Sequence, residues 1–218
     1  GFTYMVPGIG QCGDDSAKVI VNVVALLDAG SNGNMSVCRN NAQVDLFAGL
    51  GGTPQPGGQW LDLDGTGAVT GQYFNASMVP AGIYRFRYRL TGTVSCASDS
   101  AMTTITVVAE PNAGTNGNTS TCSSSPAFSL FPLLGGNPQN GGVWTFNGQP
   151  FSGVYDPVLN GSGTYVYTVG GSAPCANATA SVTVNEVQAP VAGGSSATTV
   201  CSNGGPFNMT LRLSGSPQ

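Results

Sequence analysis

One phrase returns along this chain at a nearly fixed distance. GLGGTPQ, LLGGNPQ and LSGSPQ carry Pro54, Pro138 and Pro217, at intervals of 84 and 79 residues. Cys12, Cys96 and Cys175 keep the same two intervals, and so do Cys38, Cys122 and Cys201. A period of this length is too long for helical or leucine-rich solenoids and suits a string of small independent domains. Laying the copies over one another sets the boundaries. LLDAGSNGNMSVC matches EPNAGTNGNTSTC and, more loosely, APVAGGSSATTVC. Residues 1–26 read as the C-terminal part of a preceding repeat, 27–109 and 110–189 as whole repeats, and 190–218 as the N-terminal part of a following one.

Each repeat reads as all-β. YRFRYRL (84–90), TTITVV (103–108), YVYTV (165–169) and ASVTVNEV (180–187) alternate apolar and polar residues, the pattern of half-buried strands. QVDLFAGL (43–50) and AFSLFPLL (127–134) read as more buried strands. GGQWLDL and GGVWTF place one Trp in a strand after a Gly-Gly turn. Sustained helical periodicity is absent. About seven short strands in eighty residues predict a Greek-key, immunoglobulin-like β-sandwich. The joints are short and two hold proline, so stacked units are expected to form a rod. Trp60 and Trp144, 84 residues apart, occupy one position. They are expected between the sheets, the alternative being a platform for stacking sugars.

Composition narrows the function. Charged residues are 7% of the chain, against about 25% in an average soluble domain. There is no histidine, Lys18 is the only lysine, and the net charge is -4. Nucleic acid is excluded as a partner, because it requires a basic face. No apolar run approaches the roughly 20 residues of a membrane helix. The absence of histidine removes Ser-His-Asp catalysis and His-ligated metal, so neither an enzyme nor a cofactor is expected. Asp62 and Asp64 open a D-x-D-G stretch, but oxygen ligands for calcium are too few, and the second repeat has TFNGQP there. Arg85, Arg87 and Arg89 share one face of a strand, either solvated or in contact with a neighbouring strand or acidic glycan.

Six cysteines at repeating positions, without C-x-x-C or histidine, predict disulfides in an oxidising compartment. The expected pairs are Cys38–Cys96 and Cys122–Cys175, with Cys12 and Cys201 paired outside the segment. Each loop would contribute roughly 4 kcal/mol by restricting the unfolded chain. The second-ranked scheme, Cys12–Cys38, Cys96–Cys122 and Cys175–Cys201, uses a constant spacing of 26. It requires the chain to fold back across a strand of roughly 33 Å. Cross-linking through an isopeptide would need a lysine in each domain, which the second and third repeats lack.

DAGSNG…VC, PAFSLFPLLGGNPQNGGVW, GVYDP, GTYVYTVGGSAPC and ATASVTV resemble the tandem immunoglobulin-like repeats of giant surface adhesins in gliding Bacteroidota. The resemblance covers essentially the whole chain. It implies a type IX secreted filament, attached to the outer membrane and exposed at the cell surface. Its partners would be neighbouring repeats, other filaments or surface polysaccharide. The first repeat departs from the pattern with RNNAQVDLF and its arginine stripe. In the bacteria of that family Asp-Ser-Ala is a short O-glycosylation motif, which implies glycan on Ser16 and Ser100, 84 residues apart. The expected function is a structural and adhesive segment of an extracellular filament. A carbohydrate-binding module array is the alternative, and exposure of the two tryptophans separates them.

Overall fold

Residues 1–93 and 96–215 are described by a computed structural model; the third phrase's Pro217 and Gln218 lie outside the described residues. The first unit, Gly1–Ala109, starts with an antiparallel pair, β1 (Phe2–Val6) and β2 (Asp15–Val19), whose side chains are all exposed. Its sandwich follows as β3 (Gly33–Cys38), β4 (Val44–Asp45), β5 (Gln59–Asp62), β6 (Val69–Thr70), β7 (Tyr73–Phe74), β8 (Gly82–Leu90) and β9 (Asp99–Val108). The second unit, Glu110–Gln218, holds β10 (Gly117–Cys122), β11 (Phe128–Ser129), β12 (Val143–Phe146), β13 (Gln149–Phe151), β14 (Val154–Tyr155), β15 (Gly163–Val169) and β16 (Ala178–Val187). Residues 190–215 are mostly exposed and carry a Gly194–Ser214 bridge and a 3-10 turn at Thr210–Arg212.

The first unit's sheets have the orders β3-β9-β8-β5 and β4-β7-β6; the second unit's are β10-β16-β15-β12-β13 and β11-β14. Neighbouring pairs are antiparallel with one exception in each unit. β3 runs parallel to β9, and β10 runs parallel to β16. The first and last strands of each sandwich therefore lie side by side and point the same way. These are tandem immunoglobulin-like β-sandwiches, as the strand pattern predicts.

Period-two alternation explains the long strands. In β8, Phe86, Tyr88 and Leu90 are buried while Arg85, Arg87 and Arg89 are exposed. Across the sandwich Phe74 faces Phe86, with ring centroids 4.8 Å apart. In the second unit Tyr155 meets Tyr165 edge-on at 5.6 Å. Each unit has its own core, with Leu46, Phe74, Phe86 and Ile105 fully buried in one and Leu130, Tyr155, Tyr165 and Val182 in the other. Each such side chain contributes about 1.5–3 kcal/mol by leaving water.

QVDLFAGL and AFSLFPLL differ from expectation. Only Val44–Asp45 and Phe128–Ser129 are strand, and each is followed by a 3-10 turn, Phe47–Gly49 or Phe131–Leu133. The apolar residues there are spaced for a turn. Leu130 and Leu134, four apart, are both buried, and Pro132 sits at the start of the turn, where a missing N–H costs nothing.

Candidate functional site

The repeated phrase is a clamp on one tyrosine. Tyr88 Oη donates to the Gln55 carbonyl at 2.6 Å and accepts from Gly58 N at 2.7 Å. Tyr167 does the same with Gln139 at 2.7 Å and Gly142 at 2.8 Å. A Cβ at Gly58 would fall 2.6 Å from the Tyr88 ring, so this position takes glycine. The Gln side chain explains the last letter of the phrase. Gln55 Oε1 accepts from Asp28 N at 3.2 Å and Gln139 Oε1 from Asn112 N at 2.9 Å. Asp28 and Asn112 in turn accept from Gly30 N and Gly114 N, both at 2.8 Å. The phrase fixes the entrance of each sandwich and positions the tryptophan strand beside it.

From this shared frame the two units diverge. In the second, β13 pairs with β12 and sets Phe151 opposite Trp144. Phe151 packs on Tyr165 at 4.7 Å, and Trp144 is buried at 7% exposure. In the first, the run from Trp60 to Phe74 is three residues longer than that from Trp144 to Tyr155. The counterpart strand β6 pairs with β7 alone, leaving β5 at the edge of its sheet. Leu63 N donates to the Arg85 carbonyl at 3.1 Å. By antiparallel alternation the backbone groups of Trp60 and Asp62 turn away from β8, toward that free edge. A cleft of about 810 Å³ opens there, with Trp60 half-buried in its wall beside Tyr88, at 5.1 Å between rings. Phe47, Gln59, Asp62, Val69 and Gln72 also line it.

Asp62 and Asp64 hold the longer loop. Asp62 accepts from Asp64 N at 3.2 Å, Thr66 Oγ1 at 2.8 Å and Gly67 N at 3.1 Å. Asp64 pairs with Arg85 at 2.7 Å and accepts from Arg85 N at 2.6 Å. The hydrogen bonds from Arg85 hold the Asp64 carboxyl below its ordinary value. Among the described residues no three His, Cys, Asp or Glu side chains gather as metal ligands. Arg85 is thus a loop anchor, while Arg87 and Arg89 stay exposed across from Leu61 and Gln59.

Trp144 is buried among the core residues of its unit, whereas Trp60 also borders the open cleft. The expected disulfides Cys38–Cys96 and Cys122–Cys175 do not form. Cys38 stands opposite Val108, at the far end of β9, and Cys96 lies three residues before its start. Cys122 stands opposite Val187, and Cys175 precedes β16 in the same way. The members of each pair are separated by roughly 30 Å of strand, while bonded cysteines need Cα atoms within about 7 Å. Cys12, Cys96, Cys122 and Cys201 are free thiols; Cys38 and Cys175 are each disulfide-bonded. Ser16 and Ser100 are exposed, on the opening residues of β2 and β9 rather than in the hairpin loops. The aspartate before Ser100 is structural, since Asp99 Oδ2 accepts from Ala29 N at 2.7 Å.

The sequence offers Trp60 as an alternative sugar platform and singles out Asp62, but not the cleft that joins them. The signal for the cleft is the longer run LDLDGTGAVTGQ, set against the second repeat's TFNGQPFSG.

No known family profile and no curated protein matches the chain. Among solved structures it is similar to a mutated three-Ig titin fragment, with 17% identity and TM-score 0.30 over 63% of this chain and 53% of that one. A titin I-band fragment matches at 12% identity and TM-score 0.38, over 82% and 71%. The N-terminal four Ig domains of a Dscam1 isoform match at 16% and TM-score 0.36, over 80% and 51%. The chain spans about half the length of the first and third of these.

Proposed function

We propose that this chain is a structural and adhesive segment of an extracellular cell-surface filament, in the manner of the type IX secreted gliding adhesins it resembles. Repetition carries the reading: two sandwiches share the tyrosine clamp and the parallel closure of first on last strand, whereas the cleft belongs to one alone. A reaction centre would bring ionisable groups together, and here Asp62 in the cleft wall and Asp64 outside it both serve the loop. Disulfide-bonded Cys38 and Cys175 support an oxidising, extracellular setting. Residues 27–109 and 110–189 are the repeats, and 1–26 and 190–218 belong to flanking copies. O-linked glycan on exposed Ser16 and Ser100 would hydrate a surface with few charges.

Antibodies raised against residues 27–189 test the reading. They are expected to decorate filaments on intact, unpermeabilised cells and to block attachment. Labelling that appears only after permeabilisation overturns it. Intact-peptide mass spectrometry of native material is expected to find hexose-type mass on both serines.

A further inference from the structure

The second unit shows what normally covers the tryptophan. There β13 completes the sheet, and Gly153 lies so close to the indole that a Cβ would fall 2.6 Å from Trp144 Cδ1. In the first unit the same face of the sandwich is uncovered, and the longer loop is held off by hydrogen bonds to Asp62 and by the Asp64–Arg85 pair. The opening is therefore built, with its own supports, and is not a packing gap. Its volume of about 810 Å³ falls within the roughly 300–1,000 Å³ of small-ligand sites.

We propose that the cleft over Trp60 binds a neutral saccharide, with a pyranose ring laid against the indole. An indole face suits the apolar C–H face of a sugar, and the rest of the cleft suits its hydroxyls. Gly57, Gly58, Gly67 and Gly71 line the rim and keep it clear of side chains. The free edge of β5 adds the backbone groups of Trp60 and Asp62. Gln72, whose Nε2 donates to Asp45 at 3.0 Å, is oriented by that bond and offers its amide oxygen. Asp62 accepts three bonds, and a carboxylate has about four lone-pair sites, so it can take one sugar hydroxyl more. No cationic side chain lines the cleft, so an anionic glycan would meet Asp62 without a counter-charge. This names a ligand class for the adhesive reading and depends on it only for biological setting.

The test uses the whole 218-residue chain and its two indole N–H resonances in a ¹H–¹⁵N spectrum. Cellohexaose, maltohexaose and mannohexaose are the probes. At least one is expected to shift the Trp60 resonance saturably while that of Trp144 stays fixed. Trp60→Ala should abolish binding, with the Trp144 resonance reporting that the second unit remains folded. Val69→Phe, which fills the cleft without touching the indole position, should also abolish it while preserving the dispersed spectrum of the first unit. The proposal is overturned if no probe moves the Trp60 resonance, or if both indoles move alike. It is equally overturned if a peptide of residues 146–154 moves Trp60 and no saccharide does, since the cleft would then dock a strand. Binding to purified protein alongside unimpaired cell attachment after antibody blocking would count against adhesion and leave the cleft assignment standing.

Discussion

Thr103 is fully buried, and its hydroxyl has no hydrogen-bond partner among the described residues. It touches the space left by Gly49, where a side chain would collide with the hydroxyl. The second unit has Leu133 and Val182 at these two positions. A buried polar atom without a partner costs free energy, and Val matches Thr in shape. Thr103→Val is expected to stabilise the first unit by about 1 kcal/mol in urea unfolding. A loss of stability would mean that the hydroxyl is satisfied. Tyr155 gives the second unit a different signature. It is fully buried, and its hydroxyl donates to Glu186 at 2.8 Å. Burial first, and then Glu186, push the phenol well above its ordinary value of 10.0. Burial and the Glu186 charge raise Tyr165 as well. A raised folded value favours the neutral ring, so this contribution is complete below about pH 10 and lost as pH climbs from there toward the folded value. The second unit should weaken above that point in denaturant titrations at rising pH, and Tyr155→Phe should flatten the loss.

At the scale of elements, the long strands were legible because burial alternates with a period of two along each of them. The relation between strands was not. Nothing in GNMSVC says that it lies parallel to the last strand, and that direction alone carries Cys38 to the end remote from Cys96. The pairing expected from chain order therefore failed on topology. The consequence is measurable. Neither cysteine closes a loop inside its own sandwich, so the roughly 4 kcal/mol of loop restriction does not apply within a unit. An isolated 27–109 repeat is expected to melt at the same temperature with and without reductant. A fall on reduction would return the internal bridge to consideration. The cleft was hidden for a related reason. Three extra residues are visible in the sequence, but whether β6 closes on β5 or folds back on β7 depends on the Asp62 and Asp64 contacts. Arg85→Ala should loosen that loop, seen as faster amide exchange over residues 63–68, with little change in global stability because the ion pair is exposed.

At the scale of the molecule, equivalent positions have separate tasks. Trp144 is a core residue, and truncation to Ala should cost the second unit about 3–5 kcal/mol in chemical denaturation. Trp60, bordering an open cleft, should cost its unit less. The repeat thus tolerates change at its rim while its frame of Tyr, Gln and Gly stays constant. The parallel closure of each frame has a mechanical meaning as well. Suppose a unit is drawn out by its two ends. Tension at Gly33 pulls β3 toward its beginning, and tension at Val108 pulls β9 toward its finish. The strands are asked to slide past each other, and the hydrogen bonds between them lie across the direction of pull. All six paired positions must then yield together, where a hairpin peeled from one end would surrender them one at a time. Arg39→Pro, which deletes the donor that Arg39 N offers the Val108 carbonyl at 2.9 Å where that seam ends, should lower the rupture force of the first unit in single-molecule stretching and leave the second unit's force unchanged.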